Sequence, residues 1–184
     1  MEGGRSTRQS AEGENAQRKR VGGEPESKRT AHCTKEMNSR KTGTLIKLIS
    51  MNAQSVVNKL ELLRAQVSEL EPDIIAITES WTHSDITEGI LKISGYELIG
   101  RRDRSDTLKG RGGGILLYSK LSNIYVNTVN KSEQIIHATI TSNDKNSEDI
   151  QIHCFYRSPN ATSAMTDEVL AYIKIIPDNS YSSW

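Results

Sequence analysis

The apolar positions of this chain fall into short, turn-bounded runs that follow a long polar start. Residues 1–44 are rich in Gly, Ser, Glu, Arg and Lys and have no apolar period. They read as a flexible polar and basic extension. From Leu45 the pattern changes. Ile46-Lys-Leu-Ile-Ser-Met-Asn52 is an Ile-rich run of strand length. Ser55 then stands where a helix N-cap belongs, and Val56, Leu60, Leu63, Val67 and Leu70 recur at spacings of four and three. That spacing predicts one buried face of a helix of about four turns, which Pro72 stops. Asp73-Ile-Ile-Ala-Ile-Thr-Glu79 follows at once, apolar on both faces as a covered central strand should be. The unit is β-α-β.

Beyond Trp81 the pattern belongs to strands. Tyr96–Gly100, Gly114–Tyr118, Ile124–Val129, Ile135–Thr141 and Ile150–Tyr156 are each short, β-branched and bounded by turn-formers. Asn143-Asp-Lys-Asn146 suits a hairpin loop. Met165, Val169, Tyr172 and Ile176 recur at helical spacing, with Thr166 as the expected N-cap and Pro177 as the stop. No internal repeat is present. The order of elements predicts an α+β protein whose sheets stack under helices.

Composition alters this picture at the start of the chain. A hydrophobic content of 35% and a mean hydropathy of −0.56 are low for 184 residues folded throughout. Residues 1–44 carry 10 Lys/Arg against 6 Asp/Glu, and the remainder 14 against 17. Arg18-Lys-Arg20 and Lys28-Arg29 could touch nucleic acid or serve as a nuclear address, although interspersed glutamates dilute their field. A solvated tail is the plainer reading. Cys33 and Cys154 supply neither a disulfide framework nor zinc-ligand spacing, which favours an intracellular, reducing compartment. No run approaches the roughly 18–20 apolar residues of a membrane helix, and the start lacks the apolar core of a secretory signal.

The candidate chemistry lies at strand ends. Asn52, Glu79 and Tyr156 each close an apolar run, and such residues can converge on one rim of a sheet. An amide, a carboxylate and a phenol gathered there would suit a hard cation and a phosphate oxygen. Each also has a plain reading from its residue type alone. Glu79 can be a solvated strand-end carboxylate, Asn52 a turn residue, and Tyr156 a core aromatic with its hydroxyl at the rim. Arg111-Gly-Gly-Gly114 lacks the Gly-Lys-Ser/Thr ending of a phosphate loop and suits a lead-in to a strand with close backbone approach. None of the four histidines has metal-ligand spacing or a neighbour suggesting a triad.

The residues carry a family resemblance. Leu48-Ile-Ser-Met-Asn-Ala-Gln-Ser55, Asn58-Lys-Leu60 and Pro72-Asp-Ile-Ile-Ala-Ile-Thr-Glu-Ser-Trp81 resemble the opening of an endonuclease/exonuclease/phosphatase domain. They are most similar to the apurinic-like endonuclease of non-LTR (LINE-type) retrotransposons. Gly95-Tyr96, Arg101-Arg-Asp-Arg104, Arg111-Gly-Gly-Gly114 and Phe155-Tyr-Arg-Ser-Pro-Asn160 continue it in the family's order, over about residues 45 to 180.

The resemblance implies a four-layer α/β-sandwich, of which residues 45–184 would form a partial domain, truncated in its C-terminal half. It implies hydrolysis of DNA phosphodiesters with Mg²⁺ or Mn²⁺, nicking DNA to supply a 3′-hydroxyl primer for a reverse transcriptase carried by full-length relatives. Glu79 matches the family's metal-binding glutamate, Asn52 a residue that helps orient the metal and its water, and Tyr156 a phosphate-contacting tyrosine. Arg157 is placed for a phosphate contact, Asn160 for the DNA groove, and Arg101, Arg102 and Arg104 for the DNA backbone; exposed arginines also commonly serve none of these purposes. The family's Gly-Asp-x-Asn block and later Asp-His pair have no counterpart here. Asp178 and Asn179 follow Pro177 with no apolar strand before them and do not replace the block. The expectation is a nuclease relative with little or no activity of its own; the alternative is a non-catalytic remnant that binds nucleic acid weakly.

Overall fold

The structure, a computed structural model, describes residues 32–38, 45–103, 112–127, 134–142, 145, 148–157, 161–176 and 181–183. The β-α-β unit is present. Strand β2 (Leu45–Asn52) runs parallel to β3 (Ile74–Thr78), whose five residues are all buried. Helix α1 (Leu60–Leu70) connects them and buries Leu60, Leu63 and Val67. The helix starts later than its apolar spacing suggests, and Ser55 is not its N-cap. The Ser55 N–H donates to the Glu79 carbonyl (3.0 Å) and the Val56 N–H to the Ser80 carbonyl (2.9 Å). These bonds hold residues 53–56 alongside the end of β3, so coiling begins only with a 3-10 turn at Val57–Lys59. At the far end Glu71 takes a left-handed conformation (φ 45°), its N–H caps the Val67 carbonyl, and Pro72 prevents continuation.

Two antiparallel strands, β5 (Ile115–Ser119) and β4 (Glu97–Arg102), extend the sheet beyond β3. Its other edge is β1 (His32–Asn38), antiparallel to β2 and drawn from the segment read as polar extension. An edge strand needs only backbone pairing with its neighbour, which leaves no apolar period to read. The first sheet has the order β1-β2-β3-β5-β4. A second sheet, β6-β7-β8-β9, comprises β6 (Ile124–Val126), β7 (Ile135–Ile140), β8 (Ile150–Phe155) and β9 (Tyr181–Ser183). Helix α2 (Glu88–Leu91) and β9 carry no sequence signal because four and three residues are too few to show a period.

Alternation then sorts the layers. Ile46, Leu48, Ile74, Ala76, Ile115 and Leu117 of the first sheet pack against Ile136, Ala138, Ile140, Ile152 and Cys154 of the second. Burial pushes the Cys154 thiol up to about 12, so it serves as a small apolar residue in this core. The outer face of the first sheet packs Ile75, Ile77, Leu116 and Tyr118 against Leu60, Leu63 and Val67 of α1. On the second sheet, Ile135 and Phe155 meet Val169 of α3 (Ser163–Lys174). The N-cap of α3 is Thr162, whose Oγ1 accepts the Met165 N–H (3.3 Å). Thr166, expected to be the cap, lies inside the first turn and donates to the Thr162 carbonyl (3.0 Å). The result is the four-layer α/β-sandwich expected. Among the described residues no helix is long and apolar enough to cross a membrane.

Candidate active site at the strand-end rim

Parallel pairing brings the ends of β2 and β3 to one rim. Asn52 is in register with Thr78, and the Ala53 N–H donates to the Thr78 carbonyl (2.9 Å). Asn52 shares the inter-sheet face of β2 with Ile46 and Leu48 and is exposed at its end. One residue past β3 the chain turns sharply. Glu79 has φ 51° and Trp81 φ 55°. The following N–H groups bond the glycine run before β5: Ser80 to the Gly114 carbonyl (3.2 Å) and Trp81 to the Gly113 carbonyl (3.0 Å). Gly112, Gly113 and Gly114 have φ of 131°, 87° and 86°. A Cβ on Gly114 would also lie 2.3 Å from Ser80 Oγ, so this position demands glycine on two counts. The run is thus a close backbone approach, as its sequence suggests.

The turn presents the half-buried Glu79 carboxylate to the gap between the sheets. Its Oε1 accepts the Tyr156 hydroxyl (2.5 Å) and its Oε2 the Trp81 indole Nε1–H (3.0 Å). Tyr156 follows β8, is anchored by its N–H on the Gln134 carbonyl (3.0 Å), and rests against the inter-sheet core. Residues 77 apart in sequence therefore meet across the two sheets. Of the sequence-predicted residues, Glu79 and Tyr156 are joined directly, and Asn52 stands on the strand end beside them.

The basic residues are placed differently. The Arg101 Nε donates to Asp103 (2.7 Å) and its Nη2 to the His83 carbonyl (2.8 Å), so its guanidinium already holds its own loop. The exposed Arg157 sits next to Tyr156 and gives its Nε to Thr166 Oγ1 (3.0 Å), which steers it along α3. Arg104 and Asn160 lie outside the described residues. Sequence reading missed Trp81 as a partner of Glu79, because nothing in its spacing reveals where its N–H points.

The donor set suits a hydrated hard cation. Among the described residues each carboxylate oxygen accepts one hydrogen bond and keeps further lone-pair capacity, and Asn52, with its neutral amide, ends the neighbouring strand. Mg²⁺ commonly takes one or two carboxylates and keeps several waters. Among the described residues no group of three His, Cys, Asp or Glu side chains gathers to form a denser cage.

Comparison with solved structures decides the fold. The chain superposes on the endonuclease domain of TRAS1, a telomere-specific non-LTR retrotransposon, with a TM-score of 0.52, 12% identity, and coverage of 74% of this chain and 58% of that one. Two AP endonucleases, LMAP from Leishmania major and one from Archaeoglobus fulgidus, each match with a TM-score of 0.50 and 16% identity. This is the endonuclease/exonuclease/phosphatase fold. The two AP endonuclease matches cover 69% and 70% of this chain but 44% and 48% of the enzymes, so the chain spans about half the length of those relatives. No family model matches the sequence. No curated protein matches it either.

Proposed function

We propose that the rim built from Asn52, Glu79 and Tyr156 is the cation- and phosphate-holding part of a DNA phosphodiesterase site of the retrotransposon endonuclease kind. The observation that carries this reading is the Tyr156–Glu79 hydrogen bond of 2.5 Å. It couples a carboxylate fit for Mg²⁺ or Mn²⁺ to a phenol fit for a phosphate oxygen, inside a nuclease-like fold. A divalent cation bound there would polarise the phosphoryl group and stabilise developing charge.

The chain's own groups have defined parts. Glu79 would ligate through the lone pairs left by its two donors, with the Asn52 amide as a neutral second ligand. Tyr156 carries a single hydroxyl proton. A phosphate oxygen engages that proton by taking the place of Glu79 Oε1, which frees the carboxylate oxygen as substrate arrives. Arg157, whose Nε is committed to Thr166, can add a charge-assisted contact to the same phosphate. In a longer relative such a site would nick DNA and pass the 3′-hydroxyl to a reverse transcriptase.

Turnover by these 184 residues is a separate matter. They contain no Gly-Asp-x-Asn block, and among the described residues Glu79 has a phenol and an indole as partners rather than a group able to take a proton from water. The chain should therefore hold DNA in the presence of Mg²⁺ and hydrolyse it barely or not at all. Nicking of supercoiled plasmid, run with Mg²⁺, with EDTA and with Glu79→Ala, tests this. Background-level nicking throughout is expected. Robust nicking that disappears with EDTA and in the variant would show that these residues suffice for hydrolysis.

A further inference from the structure

Trp81 is a large aromatic that none of the three apolar clusters includes. Core packing therefore does not account for it. Its backbone is left-handed at φ 55°, a genuine outlier for a bulky residue. Strain of this kind persists only where the surroundings impose it, and it concentrates at functional sites. The surroundings here are specific. The Trp81 N–H is tied to the Gly113 carbonyl and the Ser80 N–H to the Gly114 carbonyl. Between them, the Ser80 hydroxyl meets the Thr82 hydroxyl (2.9 Å), with both residues buried. Left-handed residues elsewhere among those described are only Glu71 and Gly95; Gln54, Ser55, Glu79, Trp81 and Gly112–Gly114 all belong to this rim.

We infer that Trp81 is a positioning residue of the site, its indole N–H locking the Glu79 carboxylate in the orientation that receives a cation. The inference rests on the reading of Glu79 as the metal ligand and adds how that ligand is held. A glutamate at a rim can rotate about three side-chain bonds, and a single donor leaves the carboxylate plane free to turn. Trp81 on Oε2 and Tyr156 on Oε1 together engage both oxygens. The arrival of phosphate removes the Tyr156 restraint, because that hydroxyl has one proton to give. Trp81 is then the donor that still holds the carboxylate. The glycine run acts one step further out, since its carbonyls hold the turn from which the indole reaches back two residues. Outer partners that orient metal ligands typically contribute 10–100-fold to affinity.

The test is Mn²⁺ affinity of the full chain by electron paramagnetic resonance, for the native protein, for Trp81→Phe, and for a chain carrying 3-benzothienylalanine at position 81. The last analogue keeps the ring shape and replaces only the N–H by sulfur. Circular dichroism and urea melting accompany each variant. Expected is a 10–100-fold weaker Mn²⁺ affinity in both, with the urea midpoint of the benzothienyl chain unchanged. Native-like affinity in the benzothienyl chain overturns the positioning role while leaving Glu79 as a ligand. A native chain that binds no Mn²⁺ at millimolar concentration overturns the metal reading and this inference together.

Discussion

Glu79→Gln is expected to weaken Mn²⁺ binding by about 100-fold or more while leaving the protein folded. Loss of an outer hydrogen-bond partner alone costs 10–100-fold, and this change removes the charge of the ligand itself. The fold should survive because glutamine can keep both contacts. Its carbonyl oxygen can accept the Trp81 N–H, and its amide can donate to the Tyr156 oxygen, which is acceptor as well as donor. Glu79→Gln thus separates charge from shape, as Glu79→Ala does not. Isothermal titration with Mn²⁺, with far-UV circular dichroism alongside, checks the prediction. Unchanged affinity would remove Glu79 from the cation site.

The second large effect concerns stability and lies away from the rim. His137 and His153 face each other across β7 and β8 with their rings stacked at 4.2 Å. His153 is 3% exposed, its Nδ1 meets the Tyr172 hydroxyl (3.0 Å), and its Nε2 has no partner among the described residues. Burial, and secondarily the neighbouring His137, lower its pKa from 6.5 to about 4. The stability tied to this shift is therefore complete above about pH 6.5. It is lost as pH falls from there towards about 4, because the unfolded chain takes up a proton that the folded chain refuses. The full shift corresponds to roughly 3 kcal/mol. Urea unfolding at pH 7 and pH 4.5 should differ accordingly, and His153→Phe should remove much of the difference. An equal pH dependence in native and variant chains would assign the acid sensitivity to other groups.

The parts legible in sequence are those that local pattern determines. Ile-Ala-Ile-Thr-Glu79 announces a buried strand with a carboxylate at its end because nothing else in the fold is needed to produce that reading. The same holds for Tyr156 after Ile150–Phe155, and for the apolar face of α1. What was not legible depends on partners distant in the chain. Ser55 has the composition of a helix cap, yet its N–H bonds the Glu79 carbonyl 24 residues later and the helix starts afterwards. Thr162 and Thr166 are equally good caps on composition, and only the packed position of α3 selects the first. His32–Asn38 has the look of a polar extension because an edge strand borrows its order from β2. At the rim, the Trp81 N–H and the carbonyls of Gly113 and Gly114 bear on Glu79 through left-handed backbone that no periodicity encodes.

The central claim, that Glu79 and Tyr156 form a cation-dependent phosphodiester site, is tested most directly by fluorescence anisotropy of a labelled duplex oligonucleotide titrated with the chain. Native protein, Glu79→Gln and Tyr156→Phe would each be measured with Mg²⁺ and with EDTA at one fixed ionic strength. The account predicts that Mg²⁺ tightens DNA binding by the native chain and that both substitutions abolish the gain. Binding that is indifferent to Mg²⁺ and to both substitutions, and that falls only with added salt, would contradict it. Such binding would reflect basic charge alone.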